Sequence, residues 1–229
     1  MKAIFFDFDG TLTQNDKNSW SVIWQVLNKQ DEASKLYKMF LDEKISYDEW
    51  SRLTCLHFKL NGLNIEILKQ ATQQIKLIDG IKETFEKLKK QGVSINIVSG
   101  SIKQVIEYTL GDLKNYIDNI YANDFKFNEK GYLTDIEVTK YDYAGKCQCV
   151  SQFLKSNNLN PREQWFVGNS SNDEWVYKSG CNTLCINPDG ADIANKDKWN
   201  KVLEKVENLS DILSELNITK NLNNCENSK

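Results

Sequence analysis

Hydrophobic positions along the chain follow two alternating patterns. Ala3-Ile4-Phe5-Phe6 is an unbroken apolar run that stops at Asp7-Phe8-Asp9-Gly10. Similar short runs are Val93 to Val98 before Ser99-Gly100, Ile120 to Ala122, Trp165-Phe166-Val167 before Gly168-Asn169, and Thr183 to Ile186. Short runs of this kind fit strands buried on both faces. Val202 to Val206 offers one more. Between them the apolar spacing becomes helical. Ile81, Thr84, Phe85 and Leu88 share one face, as do Ile102, Val105, Ile106 and Leu110, and Val150, Phe153 and Leu154. Strands alternating with helices predict an α/β fold, a parallel sheet covered by helices on both sides. Ligands then bind beyond the carboxyl ends of the strands, where Asp7, Ser99 and Asn169 are expected.

From about Asn15 to Lys76 the strand pattern disappears. Trp20, Ile23, Trp24 and Leu27 repeat at helical spacing, and Leu36, Tyr37, Phe40 and Leu41 follow. Ser46-Tyr47-Asp48-Glu49 has the form of a capping box, with Trp50 and Leu53 behind it. Ile65, Leu68, Thr72 and Ile75 complete the set. We expect a small helical bundle inserted after the first strand, over the strand ends. Phe125-Lys126-Phe127 and Tyr132 to Ile136 flank Asn128 to Gly131, which reads as a hairpin. The expected division is a core over 1–13 and 80–216, a helical unit over 14–79, and a polar, disordered tail over 217–229.

Composition narrows the classes. The net charge is −3, which gives no basic face for nucleic acid. No run approaches the ~18 apolar residues of a membrane span, and the N-terminal run is too short for a signal peptide. A cytoplasmic location is the expectation. The six cysteines, Cys55, Cys147, Cys149, Cys181, Cys185 and Cys225, have no paired zinc spacing and read as reduced, packed thiols.

The strongest chemical signal is Asp7-Phe8-Asp9-Gly10-Thr11-Leu12-Thr13. Alternation along an extended chain lets Asp7 and Asp9 point the same way. One carboxylate can then attack phosphorus while the other handles a proton. Such a pair is also a metal-binding motif in some glycosyltransferases, so the longer string matters. It resembles motif I of the haloacid dehalogenase-like superfamily. Ser99 resembles motif II, and Lys146 in Ala144-Gly145-Lys146 resembles motif III, with Lys140 as its rival. Gly168-Asn169-Ser170-Ser171-Asn172-Asp173 resembles motif IV, commonly G-D-x-x-N-D. The helical insertion and the hairpin resemble the phosphoserine phosphatase-like branch.

That resemblance implies a Rossmann-like sheet with an inserted α-helical cap, and a phosphatase that works through an aspartyl-phosphate. It makes Asp7 the nucleophile and Asp9 the general acid and base. Ser99, Gly100 and Lys146 would bind the phosphoryl group. Mg²⁺ would be held by Asp7, the Asp9 carbonyl and Asn169, with Asp173 either beside the ion or orienting Lys146. Asn169 stands where the family usually has Asp, and an amide lacks the carboxylate's charge. The substrate would be a small phosphorylated metabolite, phosphoserine being one candidate. The branch places a Glu nine residues after the nucleophile, where this chain has Asp16, and a cap arginine, for which Arg52 stands alone. Trp20 is a further candidate for the substrate wall. Two alternatives remain at this point: a silent binding module, motivated by Asn169, and a phosphotransferase or mutase.

Overall fold

The computed structural model describes residues 2–14, 17–189 and 196–216. The expected α/β fold is present. Seven strands form one sheet in the order β4-β3-β2-β1-β5-β6-β7. They are β1 (Lys2–Phe6), β2 (Val93–Ile102), β3 (Asn119–Phe127), β4 (Leu133–Glu137), β5 (Trp165–Gly168), β6 (Asn182–Ile186) and β7 (Lys201–Leu203). All neighbours pair in parallel except β4, which runs antiparallel to β3.

β1 lies at the centre of the sheet, and its alternating side chains build two cores. Ile4 and Phe6 pack with Ile81, Phe85 and Leu88 of α5 (Ile81–Lys90) and Ile106 and Leu110 of α6 (Lys103–Leu110). Ala3 and Phe5 face Cys149, Val150 and Leu154 of α7 (Ala144–Ser156). A strand buried on both faces must be apolar throughout, which is why Ala3 to Phe6 carries no polar side chain until Asp7.

Four helices fill the region between β1 and α5: α1 (Ser19–Val26), α2 (Gln30–Leu41), α3 (Tyr47–Leu60) and α4 (Ile65–Thr72). The capping box at Ser46 is present. Its hydroxyl accepts from the Glu49 N–H, and the Glu49 carboxylate accepts from the Ser46 N–H at 2.8 Å. The two connections to this unit pair with each other, through a bridge between Thr13 and Leu77 and a hydrogen bond from the Gln14 N–H to the Lys76 carbonyl at 2.9 Å. The hydrophobic core of the unit is not closed on itself. Trp20, Ile23, Trp24 and Phe58 pack together with Ile102 and Val105, and with Phe125, Leu133 and Ile136 from β3 and β4.

Three strands depart from the sequence reading, and the last of them, β7, is shifted and shorter than Val202 to Val206. β2 continues past Ser99-Gly100 to Ile102, with a register shift against β3 between Val98 and Ile102. Asn123 supports the irregular stretch, donating to the carbonyls of Gly100 (2.8 Å) and Ser101 (3.1 Å). The segment near Ile120 and the first hairpin arm form a single strand, β3. Its first part pairs with β2 and its second with β4. Asp16 and the 217–229 segment lie outside the described residues, as does Cys225. Among the described residues no helix is long and apolar enough to cross a membrane.

Candidate active site

The carboxyl ends of β1, β2 and β5 meet under the helical unit, around a cavity of about 710 Å³. Asp7, Asp9 and Gly10 from the end of β1, Ser99 and Gly100 from β2, and Asn169 after β5 all line it. Asp7 is fixed at the end of its strand because its N–H donates to the Val167 carbonyl at 2.9 Å. These residues lie far apart in the chain, and the parallel sheet brings them together.

Lys146 lies on the first turn of α7 and is fully buried. Its ammonium donates to Asp7 Oδ1 at 2.8 Å and Asp173 Oδ1 at 2.6 Å. Burial alone would lower its pKa, but Asp173 and Asp7 outweigh that and hold it above the ordinary lysine range. Its rival Lys140 is exposed. Gly145 makes the position of Lys146 available, since a Cβ there would collide with the Lys140 carbonyl oxygen.

Asp173 is occupied on both oxygens. Oδ1 binds Lys146, and Oδ2 accepts from the N–H groups of Asn169 (2.9 Å) and Ser170 (3.1 Å). A carboxylate so engaged shapes the loop and anchors Lys146. Of the two roles read for Asp173, orienting Lys146 is the one these contacts describe.

Two acids at the centre have raised pKa values. Burial pushes Asp7 up to about 7 against the pull of Lys146, with Asp173 and Asp9 adding to the rise. Burial likewise pushes Asp9 up to about 6, opposed by two donors from Ser19. Asp9 Oδ1 accepts from the Ser19 N–H at 3.1 Å and hydroxyl at 3.0 Å. Ser19 also bonds Ser101. The sequence offers the Ser19-Trp20 pair as pocket lining or cap packing, but the hold of Ser19 on Asp9 is not readable there, because the two are ten positions apart across a loop.

Asp7, the Asp9 carbonyl and the Asn169 side chain offer only oxygen, which suits a hard ion such as Mg²⁺. Asn169 is buried, its Oδ1 accepts from the Thr11 hydroxyl at 3.3 Å, and it lines the same cavity as Asp7. Among the described residues there is no cage of three or more His, Cys, Asp or Glu side chains, so the set that fits is mixed, with an amide and a backbone carbonyl.

The specificity candidates divide. Trp20 lines the cavity, and its indole N–H donates to the Gly100 carbonyl at 3.0 Å. Arg52 does not line it. Its guanidinium pairs with Asp48 one turn earlier at 2.7 Å, and its side chain is 54% exposed. The buried face of α3 is Trp50, Ser51, Thr54, Cys55 and Phe58, which turns Arg52 to solvent. The cavity also holds residues that the motifs do not include: Tyr47, Asp142 and Tyr143.

The architecture and site place the chain in a class. Residues 4–174 match the model of the haloacid dehalogenase-like hydrolase family, and the chain belongs to it. It is 25% identical over 177 residues to a phosphoserine phosphatase of Methanocaldococcus jannaschii, covering 77% of this chain and 81% of that one. It is 29% identical over 142 residues to a polyol phosphate phosphatase of Saccharomyces cerevisiae, covering 61% of this chain and 54% of the other. A solved substrate-bound phosphoserine phosphatase shares the fold with a TM-score of 0.72 at 24% identity, over 94% of this chain and 98% of that chain. Within the family this chain is a phosphoserine phosphatase-like phosphoric monoester hydrolase.

Proposed function

We propose that the chain hydrolyses a small phosphomonoester in two steps through a phosphoryl group carried on Asp7, with Mg²⁺ as cofactor. The supporting observation is the Asp7 carboxylate at the cavity floor, held by buried Lys146 and flanked by Asp9. The Asp7 carboxylate oxygen forms a bond to phosphorus as the bond from phosphorus to the substrate oxygen breaks. Asp9 gives its proton to the departing oxygen, so the alcohol leaves neutral. Ser19 occupies Oδ1 of Asp9, which leaves Oδ2 to carry that proton. Asp9 then takes a proton from water, whose oxygen attacks phosphorus, releases phosphate and restores Asp7.

The phosphoryl oxygens are received by the Ser99 hydroxyl, the Gly100 N–H and Lys146. Lys146 has three N–H donors, and Asp7 and Asp173 take two. Mg²⁺, held by Asp7, the Asp9 carbonyl and Asn169, would keep Asp7 ionised and screen its repulsion from the phosphate. The helical unit acts as a cap that excludes water while Asp7 is phosphorylated. The linkers near 13–18 and 77–80 serve as its hinge, with Thr13 bridged to Leu77 where the two meet.

The test is phosphate release from p-nitrophenyl phosphate. Turnover should require Mg²⁺, stop with chelator, and fall on the order of 10³-fold or more in Asp7→Asn. Asn169→Asp should tighten Mg²⁺ binding about tenfold by adding a charged ligand. Metal-independent turnover, or full activity in Asp7→Asn, would overturn the proposal.

A further inference from the structure

Above the reacting groups, the cavity has a wall of aromatic rings. Phe40, Tyr47 and Trp50 come from the helical unit, and Tyr143 from the loop before α7. Phe40 lies 6.0 Å from Trp50 and 6.1 Å from Tyr143 between ring centroids, and Tyr47 lies 5.9 Å from Trp50. The Tyr47 hydroxyl is engaged, donating to the Gly100 carbonyl at 3.2 Å and accepting from Asn123 at 2.9 Å. Tyr143 has φ 46° and ψ −125°, a conformation that costs any residue but glycine. The chain keeps a phenol ring at this strained position, packed 6.3 Å from Tyr47.

The charge on the cavity wall is one-sided. Among the described residues Asp7, Asp9, Asp142 and Asp189 line it, against Lys17 alone as a lining cation. Lys17 donates to Gln74 at 3.0 Å. Asp142 adjoins the rings. Its Oδ1 accepts from the Tyr143 N–H at 2.9 Å and from Asn172 at 3.1 Å. Its Oδ2 has no hydrogen-bond donor among the described residues and presses against Gly100, where a Cβ would collide with it. Burial raises the Asp142 carboxyl above its usual range, and a cation seated beside it would offset that rise. The guanidinium that would recognise a carboxylate, Arg52, lies outside on the solvent face of α3. Aromatic rings beside a carboxylate are the chemistry that binds organic cations.

We propose that this compartment receives a cationic leaving group: the substrate is the phosphomonoester of an alcohol that bears an ammonium or quaternary ammonium group and no carboxylate, seated among Tyr47, Trp50, Tyr143 and Asp142. The inference rests on the phosphatase reading and names its substrate class. The phosphoryl end meets Asp7 and Lys146, and the onium end meets the rings. The cation also complements a cavity whose wall is otherwise net negative. A polyol offers no cation to the rings or to Asp142, and an amino acid, although it carries an ammonium, also brings a carboxylate against the acidic wall.

The experiment compares phosphocholine with its uncharged carbon isostere, 3,3-dimethylbutyl phosphate, in the full chain with Mg²⁺. O-phosphoserine and p-nitrophenyl phosphate are run alongside. Phosphocholine should exceed the isostere in kcat/KM by about tenfold. Asp142→Asn and Trp50→Leu should each bring that ratio towards one. In parallel, choline should quench tryptophan fluorescence saturably, and 3,3-dimethylbutanol should not. Equal turnover of phosphocholine and the isostere, or a preference for O-phosphoserine, overturns the inference while p-nitrophenyl phosphate turnover leaves the phosphatase reading standing. Saturable choline binding without any phosphatase activity supports the cation pocket and contradicts the reading beneath it. No discrimination between choline and dimethylbutanol contradicts the pocket.

Discussion

Ser19 holds Asp9 through two hydrogen bonds, and both favour the charged carboxylate. Burial works in the other direction and leaves Asp9 with a pKa of about 6. Replacing Ser19 by Ala removes the hydroxyl bond and weakens the hold on the anion. The Asp9 pKa should then rise, because its charged form has lost a partner. Asp9 must be protonated to release the alcohol, so the alkaline limb of the kcat/KM profile should move to higher pH in Ser19→Ala. An unmoved limb, with only a uniform loss of rate, would remove Ser19 from this role. At this scale the motif residues were legible because each motif is contiguous in the chain: Asp7 and Asp9 share one strand end, and Asn169 and Asp173 share one loop. Ser19 and Asp142 were not, since each acts only through residues that the fold brings to it. Arg52 shows the reverse failure. Its residue type fitted a substrate hook, but the apolar face of α3 points it outward.

Among the elements, α7 carries the most exposed risk, because its first turn delivers Lys146. Gly145 lets that turn pass against the Lys140 carbonyl. Gly145→Ala must open the turn and displace the ammonium from Asp7. Misplacement of about 1 Å at a catalytic group can cost on the order of 10² in rate. A loss of that size is expected in phosphatase assays, with the far-ultraviolet circular dichroism retained. Wild-type turnover in Gly145→Ala would show that Lys146 tolerates displacement. Element boundaries were readable where local chemistry sets them. The apolar run of β1 ends at a carboxylate, and Ser46 and Glu49 reciprocally cap α3. They were obscure where a partner strand decides. β2 passes Gly100 because Asn123 satisfies the carbonyls of the irregular stretch, and β3 is one strand because it changes partner midway.

Across the whole molecule, the helical unit and the sheet share a core. Phe125 of β3 lies 6.0 Å from Trp20 and 6.2 Å from Phe58, both in the inserted helices. The Gly100 carbonyl gathers donors from Trp20, Tyr47 and Asn123, which ties the same seam. The helical spacing between the first strand and α5 is visible in the sequence, but periodicity cannot reveal that such a unit borrows β3, β4 and α6 to bury its apolar face. A shared core predicts cooperative unfolding. Calorimetry should give one transition for the wild type, and Phe125→Ala should destabilise that transition by about 3–5 kcal/mol. Two resolved transitions, with Phe125→Ala moving only one, would mean the two parts are energetically independent.

The mechanism depends on a phosphoryl group residing on Asp7, and acid quenching during turnover reads this directly. With a phosphomonoester and Mg²⁺ present, peptide mass spectrometry of the quenched protein should find phosphate on the fragment containing Asp7, and Asp7→Asn should carry none. Sustained turnover with that fragment unmodified at every quench time would contradict the account.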